Sequence, residues 1–161
     1  MINFYQVSIP NKNKGNVERL LNLCNGKNGE LALLFTFMYQ FTFILENSEY
    51  KEYQKNYELI ISEKMLAYKQ LNELLKSYGL TLYQVKKRDC FLFNQSIDYS
   101  EKFENFISNN IKRQKFLINA YVNLIKQTKE ENKVLKKLVK LAIKHKRLFE
   151  CMQKKEVNIK N

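Results

Sequence analysis

The chain has 161 residues, a length that suits one domain with one sizeable core. One proline and four glycines are too few turn residues for an all-β fold, while abundant Lys, Glu, Leu and Asn suit long helices. The formal net charge is +12 and uneven: from Lys126 to Asn161, twelve Lys/Arg stand against four Glu. Such a balance attracts acidic partners (nucleic acid, an anionic surface or an acidic protein) unless it is only the solvated face of a lysine-rich chain.

Residues 1–15 read as a polar N-terminal arm without the apolar stretch of a secretory leader, which points to a cytoplasmic protein. The first helix is expected over 17–46, with Leu20, Leu23, Lys27, Glu30, Leu34, Phe37, Phe41 and Ile44 on one inward stripe. Its longest apolar run, Leu31 to Leu45, is broken by Thr36, Gln40 and Thr42 and falls short of the roughly 20 residues of a membrane span. Leu33, Phe35, Met38, Tyr39 and Phe43 add apolar surface on its other faces, which predicts burial partly under the crossover and for the rest against a second copy of the chain. Gly26 and Gly29 inside this helix suit a close approach of another backbone.

The second helix is expected over 50–78, with Tyr57, Ile60, Lys64, Ala67, Leu71, Leu74 and Tyr78 inward and Gly79 as the residue that stops it. The third spans 99–127, opened by Asp98 with Glu101, and carries Phe103, Ile107, Asn110, Gln114, Leu117, Tyr121 and Leu124. The fourth spans 129–154, opened by a Thr128–Glu131 capping box, and carries Leu135, Leu138, Ala142, His145, Phe149 and Met152. Short joints pair the first helix with the second and the third with the fourth as antiparallel hairpins. Residues 80–98 lie between the pairs. A helix of about 28 residues is roughly 42 Å long, and nineteen extended residues reach roughly 60 Å, so this segment is long enough to cross the whole bundle. Tyr83, Phe91, Leu92 and Phe93 predict that it packs on the helices. Cys24, Cys90 and Cys151 are odd in number, with no Cys-x-x-Cys, which argues against a disulfide framework or a zinc site.

Four segments carry a resemblance: 25–39 (NGKNGELALLFTFMY), 71–79 (LNELLKSYG), 110–121 (NIKRQKFLINAY) and 141–152 (LAIKHKRLFECM). In this order, with the crossover between the second and third, the chain resembles the bacterial ferritin-like proteins near the rubrerythrins and the small manganese-catalase-like spore coat proteins. The resemblance implies one all-α domain over 1–161, a ferritin-like antiparallel four-helix bundle of two hairpins joined by one long crossover. It also implies a di-metal site with a Glu from the first and third helices and a Glu-x-x-His from the second and fourth. Carried over, these ligands fall on Glu30, on Lys64 and Ala67, on Gln114, and on Ala142 and His145, so only Glu30 and His145 are kept. A tyrosine of the family falls on Phe37. A one-residue slip would bring in Glu63 but leave Leu66 at the His position. The chain has one histidine, so two Glu-x-x-His motifs cannot exist. In this vestigial centre the Lys64 ammonium either neutralises Glu30 and bonds Gln114 or runs along its stem to water.

These residues predict no metal, no cofactor and no catalytic group, and hence a non-enzymatic bundle acting as a structural, assembly or partner-binding protein, homo-oligomeric through the first helix. By the resemblance it would be a spore or inclusion component. One alternative is non-specific nucleic-acid binding by Lys136, Lys137, Lys140, Lys144, Lys146 and Arg147. Another is a residual rubrerythrin-type oxidoreductase, which needs the ligands this chain lacks.

Overall fold

A computed structural model of the chain describes residues 14–79, 97–128 and 132–160. The expectations for the arm up to residue 13, for Tyr83, Cys90, Phe91, Leu92 and Phe93 of the crossover, and for Glu131 lie outside the described residues. Among the described residues every regular element is helical: α1 (Lys14–Asn25), α2 (Glu30–Glu46), a 3-10 turn (Ser48–Tyr53), α3 (Gln54–Ser77), α4 (Phe103–Ile125) and α5 (Asn132–Lys160). None of these helices is long and apolar enough to cross a membrane.

The first predicted helix is two helices. Gly26 N–H donates to the Asn22 carbonyl at 2.9 Å and Gly29 N–H to Gly26 at 2.8 Å, closing α1 before α2 restarts at Glu30. A Cβ on Gly26 would lie 2.4 Å from the Asn22 oxygen, and one on Gly29 2.8 Å from the oxygens of Asn22 and Leu23. The backbone these glycines accommodate is therefore their own preceding turn, not that of another element. The break turns Lys27 out to solvent, off the predicted stripe. It also places Glu30 in the first turn of α2, where the helix dipole favours a carboxylate.

Other helix ends differ from expectation. The α4 helix begins at Phe103, with Lys102 preceding it, so Asp98 does not cap it. Asp98 instead accepts from Ser100 N and Oγ and from Asn109 Nδ2, pinning the approach to the helix. The Thr128 hydroxyl donates back to the Leu124 carbonyl at 3.0 Å, finishing α4 rather than opening α5. The α5 helix runs to Lys160, six residues beyond the predicted end. Gly79 does end α3, at φ 79, a conformation glycine adopts without a Cβ clash.

Side-chain pairs give the helix directions. Along α2, Glu30 meets Lys64 and Gln40 meets Tyr57, so α2 and α3 are antiparallel. Glu30 meets Tyr121 and Gln40 meets Asn110, so α2 and α4 are antiparallel too. Tyr53 meets Glu156 and Glu63 meets His145, which sets α5 against α3. Consequently α3 and α4 point the same way: Tyr57 reaches Asn110, and Lys64 reaches Gln114 one turn later. The end of α3 and the start of α4 therefore lie at opposite ends of the helices.

The core follows the stripes. All seven predicted positions of α4 and all six of α5 are buried. On α3 the last buried position is Leu75, with Leu74 and Tyr78 half-buried, and on α2 Phe41 is half-buried while Leu33 is fully buried. Phe103 stacks on Tyr50 and Tyr53 at 4.3 and 5.1 Å between ring centres, closing one end of the core with aromatic surface.

Candidate functional site: a buried polar centre

Three of the singled-out residues meet where the start of α2 faces the middle of α3 and α4. Lys64 on α3 is 1% exposed and Glu30 on α2 is 2% exposed, and the Lys64 Nζ donates to Glu30 Oε2 at 2.7 Å. The same ammonium donates to Gln114 Oε1 on α4 at 3.3 Å. The Lys64 stem thus leads inward, not to water. Tyr121 on α4 donates its hydroxyl to the other Glu30 oxygen at 2.6 Å. Burial, followed by the nearby Glu30 charge, pushes the Tyr121 phenol well above its usual value, so it remains a donor. Each carboxylate oxygen of Glu30 therefore has its own buried donor, which offsets the cost of withdrawing the charge from water.

His145 on α5 is fully buried. Its Nε2 lies 2.8 Å from Glu63 Oε2, and Lys144 bonds the other Glu63 oxygen. Burial first, then the Lys64 charge, lower its pKa from 6.5 to about 3 against the opposing pull of Glu63. The imidazole is therefore neutral, and since a carboxylate can only accept, Nε2 carries the proton. Ala67 and Ala142 are buried here as well and bring no ligand atom.

This arrangement does not fit the di-metal group that the resemblance implies. A carboxylate saturated by Lys64 and Tyr121, one neutral imidazole tied to Glu63 and an ammonium in their midst cannot hold two cations. Among the described residues, no three His, Cys, Asp or Glu side chains are grouped to hold a metal ion. Tyr121 and Glu63 are the partners that stripe reasoning missed. Tyr121 lies two turns from Gln114 on one face, and Glu63 immediately precedes Lys64.

A second, neutral cluster lies further along the same helices. Gln40 Oε1 accepts from Asn110 Nδ2 at 2.7 Å and from Tyr57 OH at 3.1 Å, and Gln40 Nε2 donates to Asn110 Oδ1 at 3.4 Å. Phe37 is fully buried beside it, its ring against those of Tyr57 and Phe149.

Two of the six basic residues singled out on α5 are held in ion pairs. Lys136, Lys137, Lys140, Lys144 and Arg147 are exposed and Lys146 is half-buried. Lys144 is engaged by Glu63 and Lys146 by Glu150 at 2.6 Å. Lys140, Lys144 and Arg147 line one shallow groove with Cys151. No family model, no curated protein and no solved structure matches the chain.

Proposed function

We propose that the chain is a ferritin-like four-helix bundle in which an internal ion pair stands where a di-metal site would be, and that it serves as a non-enzymatic structural, assembly or partner-binding protein. The observation that carries this reading is the Lys64 ammonium 2.7 Å from Glu30 at the centre of the core. A fixed cation in place of an exchangeable one stabilises the bundle without redox chemistry. Parallel α3 and α4 between two antiparallel pairs also agree with two hairpins and a crossover, as opposed to an up-down-up-down bundle. Protein purified without a histidine tag and exposed to iron and manganese is expected to retain no stoichiometric metal by elemental analysis. Close to two metals per chain would replace this reading with an oxidoreductase.

The assembly part of the reading is supported by the α2–α3 face. Phe35, Met38 and Met65 are exposed there around a shallow apolar groove, and α2 contains no Lys or Arg. In a chain of charge +12, this is a face on which two copies can meet without opposing cations. Light scattering at tens of micromolar is expected to give a dimer or larger species; a strict monomer would remove this part of the reading. Nucleic-acid contact through α5 is a second reading. It is favoured by Lys136, Lys137, Lys140 and Arg147, which are exposed and make no ion pair with a described residue. Its signature is weak binding that disappears with moderate salt.

A further inference from the structure

The outer side of α3 carries a stripe of exposed side chains in which apolar residues stand between two pairs of charges. Leu59, Met65 and Leu66 are the exposed apolar residues, and Met65 also borders the α2–α3 groove. Lys55 and Glu58 precede them on the stripe and Lys69 and Glu73 follow, all four exposed. Read forward, the stripe runs Lys, Glu, apolar, Lys, Glu; read backward it runs Glu, Lys, apolar, Glu, Lys, with the sign inverted at each matching place. The spacing agrees. Glu58 lies six residues before Lys64 and Lys69 six after Glu63, while Lys55 and Glu73 each lie nine from Lys64. Glu58 and Lys69 are eleven residues apart, about three turns, and Lys55 and Glu73 eighteen, about five turns, so each pair keeps to one flank of the stripe. Within one chain, Glu58 accepts from Gln54 at 2.9 Å and Lys69 stands 4.0 Å from Glu73, both contacts inside α3 itself.

We infer that two copies of the chain meet along α3, antiparallel about a two-fold axis level with Glu63 and Lys64, with Glu58 facing the partner's Lys69 and Lys55 facing the partner's Glu73. By symmetry each contact forms twice. The same register sets Met65 over the partner's Ser62, a large side chain against a small one, and withdraws Leu59 and Leu66 from water. A parallel alignment would set each charge against its own kind, and a uniformly charged partner such as nucleic acid would meet two repelling carboxylates. Charge pairs at the edge of an interface fix its register, while the apolar middle supplies the attraction. This pairing rests on the proposed reading of the α2–α3 face as an assembly surface and adds to it the helix, the direction and the register.

Its test is the dimer dissociation constant of the full-length chain, by sedimentation equilibrium, for the unaltered protein, Glu58→Lys, Lys69→Glu and the two changes together. Each single reversal sets like charges against each other twice and should weaken the dimer about tenfold or more. The double variant exchanges the signs and should return to within about threefold of the unaltered affinity. Met65→Glu, which puts charge into the apolar middle, should give a monomer with an unchanged helical circular-dichroism spectrum. Single reversals without effect, a double variant as weak as the singles, or a Met65→Glu dimer of undiminished affinity overturns this pairing and leaves assembly through another part of the face standing. An unaltered chain that stays monomeric overturns both.

Discussion

Two polar clusters are buried in one core on the same three helices, and they are held by different means. Around Gln40, Asn110 and Tyr57, neutral groups satisfy one another, and no charge has been withdrawn from water. Around Glu30 and Lys64, two opposite charges balance, and a phenol and an amide complete them. A neutral cluster loses only neutral hydrogen bonds when one member is removed. A charged one loses its balance, because the surviving charge has no route to water. The centre should therefore be the more fragile of the two, and the only one of them sensitive to acid.

The largest expected effect is at Lys64. Lys64→Met strands the Glu30 carboxylate, and loss of one partner of a buried pair typically costs about 3–5 kcal/mol. Asn110→Leu, which removes a neutral member of the other cluster, should cost about 1–3 kcal/mol. Equal losses in urea unfolding would erase the distinction between the clusters.

A smaller contrast lies in the two buried phenols. Tyr121→Phe removes a hydrogen bond to a carboxylate, about 1.5–3 kcal/mol, and Tyr57→Phe removes one to an amide, about 0.5–1.5 kcal/mol. If Tyr57→Phe were the more damaging change in the same unfolding measurement, Glu30 would not depend on Tyr121 for its second donor.

Acid sharpens the comparison further. His145 has a pKa of about 3 in the folded chain against 6.5 as its ordinary value, so below about pH 6.5 the unfolded chain takes up a proton that the folded one refuses. Stability should fall as the pH drops from there toward 3. Burial acts to raise Glu63, but the bonds from Lys144 and His145 outweigh it and hold Glu63 below its usual 4.5. Asp98 is likewise held below 3.8, where burial is outweighed by bonds from Ser100 and Asn109. A depressed carboxylate contributes stability that is present above its unfolded value and lost as the pH falls, so all three act in the same direction. The urea midpoint should decline between about pH 7 and about pH 4. A flat profile would mean that His145 is not held neutral by its surroundings.

Much of this was legible because helical spacing reports which face a residue occupies. Steps of three and four place Glu30, Lys64 and Gln114 inward on three helices, and a lysine in mid-stripe is conspicuous. Spacing does not report which helix lies across from that face, so the Glu63–His145 and Tyr121–Glu30 contacts could not be read from it. The Gly26–Gly29 break was missed for a different reason. The stripe continues in register on both sides of it, and two glycines in a periodic run look tolerated, although each costs about 1 kcal/mol relative to Ala in a helix interior. Asp98 has the composition of an N-cap, but its side chain is engaged by Ser100 and Asn109 before the helix begins.

The most direct test of the central claim, that Lys64 supplies the charge at the middle of this bundle, is a double-mutant cycle on Glu30 and Lys64 followed by urea unfolding. Lys64→Met and Glu30→Leu should each be strongly destabilising, and the double variant should regain much of the loss, because a packed apolar pair often matches a buried ion pair. The predicted coupling is about 3 kcal/mol. A coupling near zero, with Lys64→Met alone neutral or stabilising, would contradict the account.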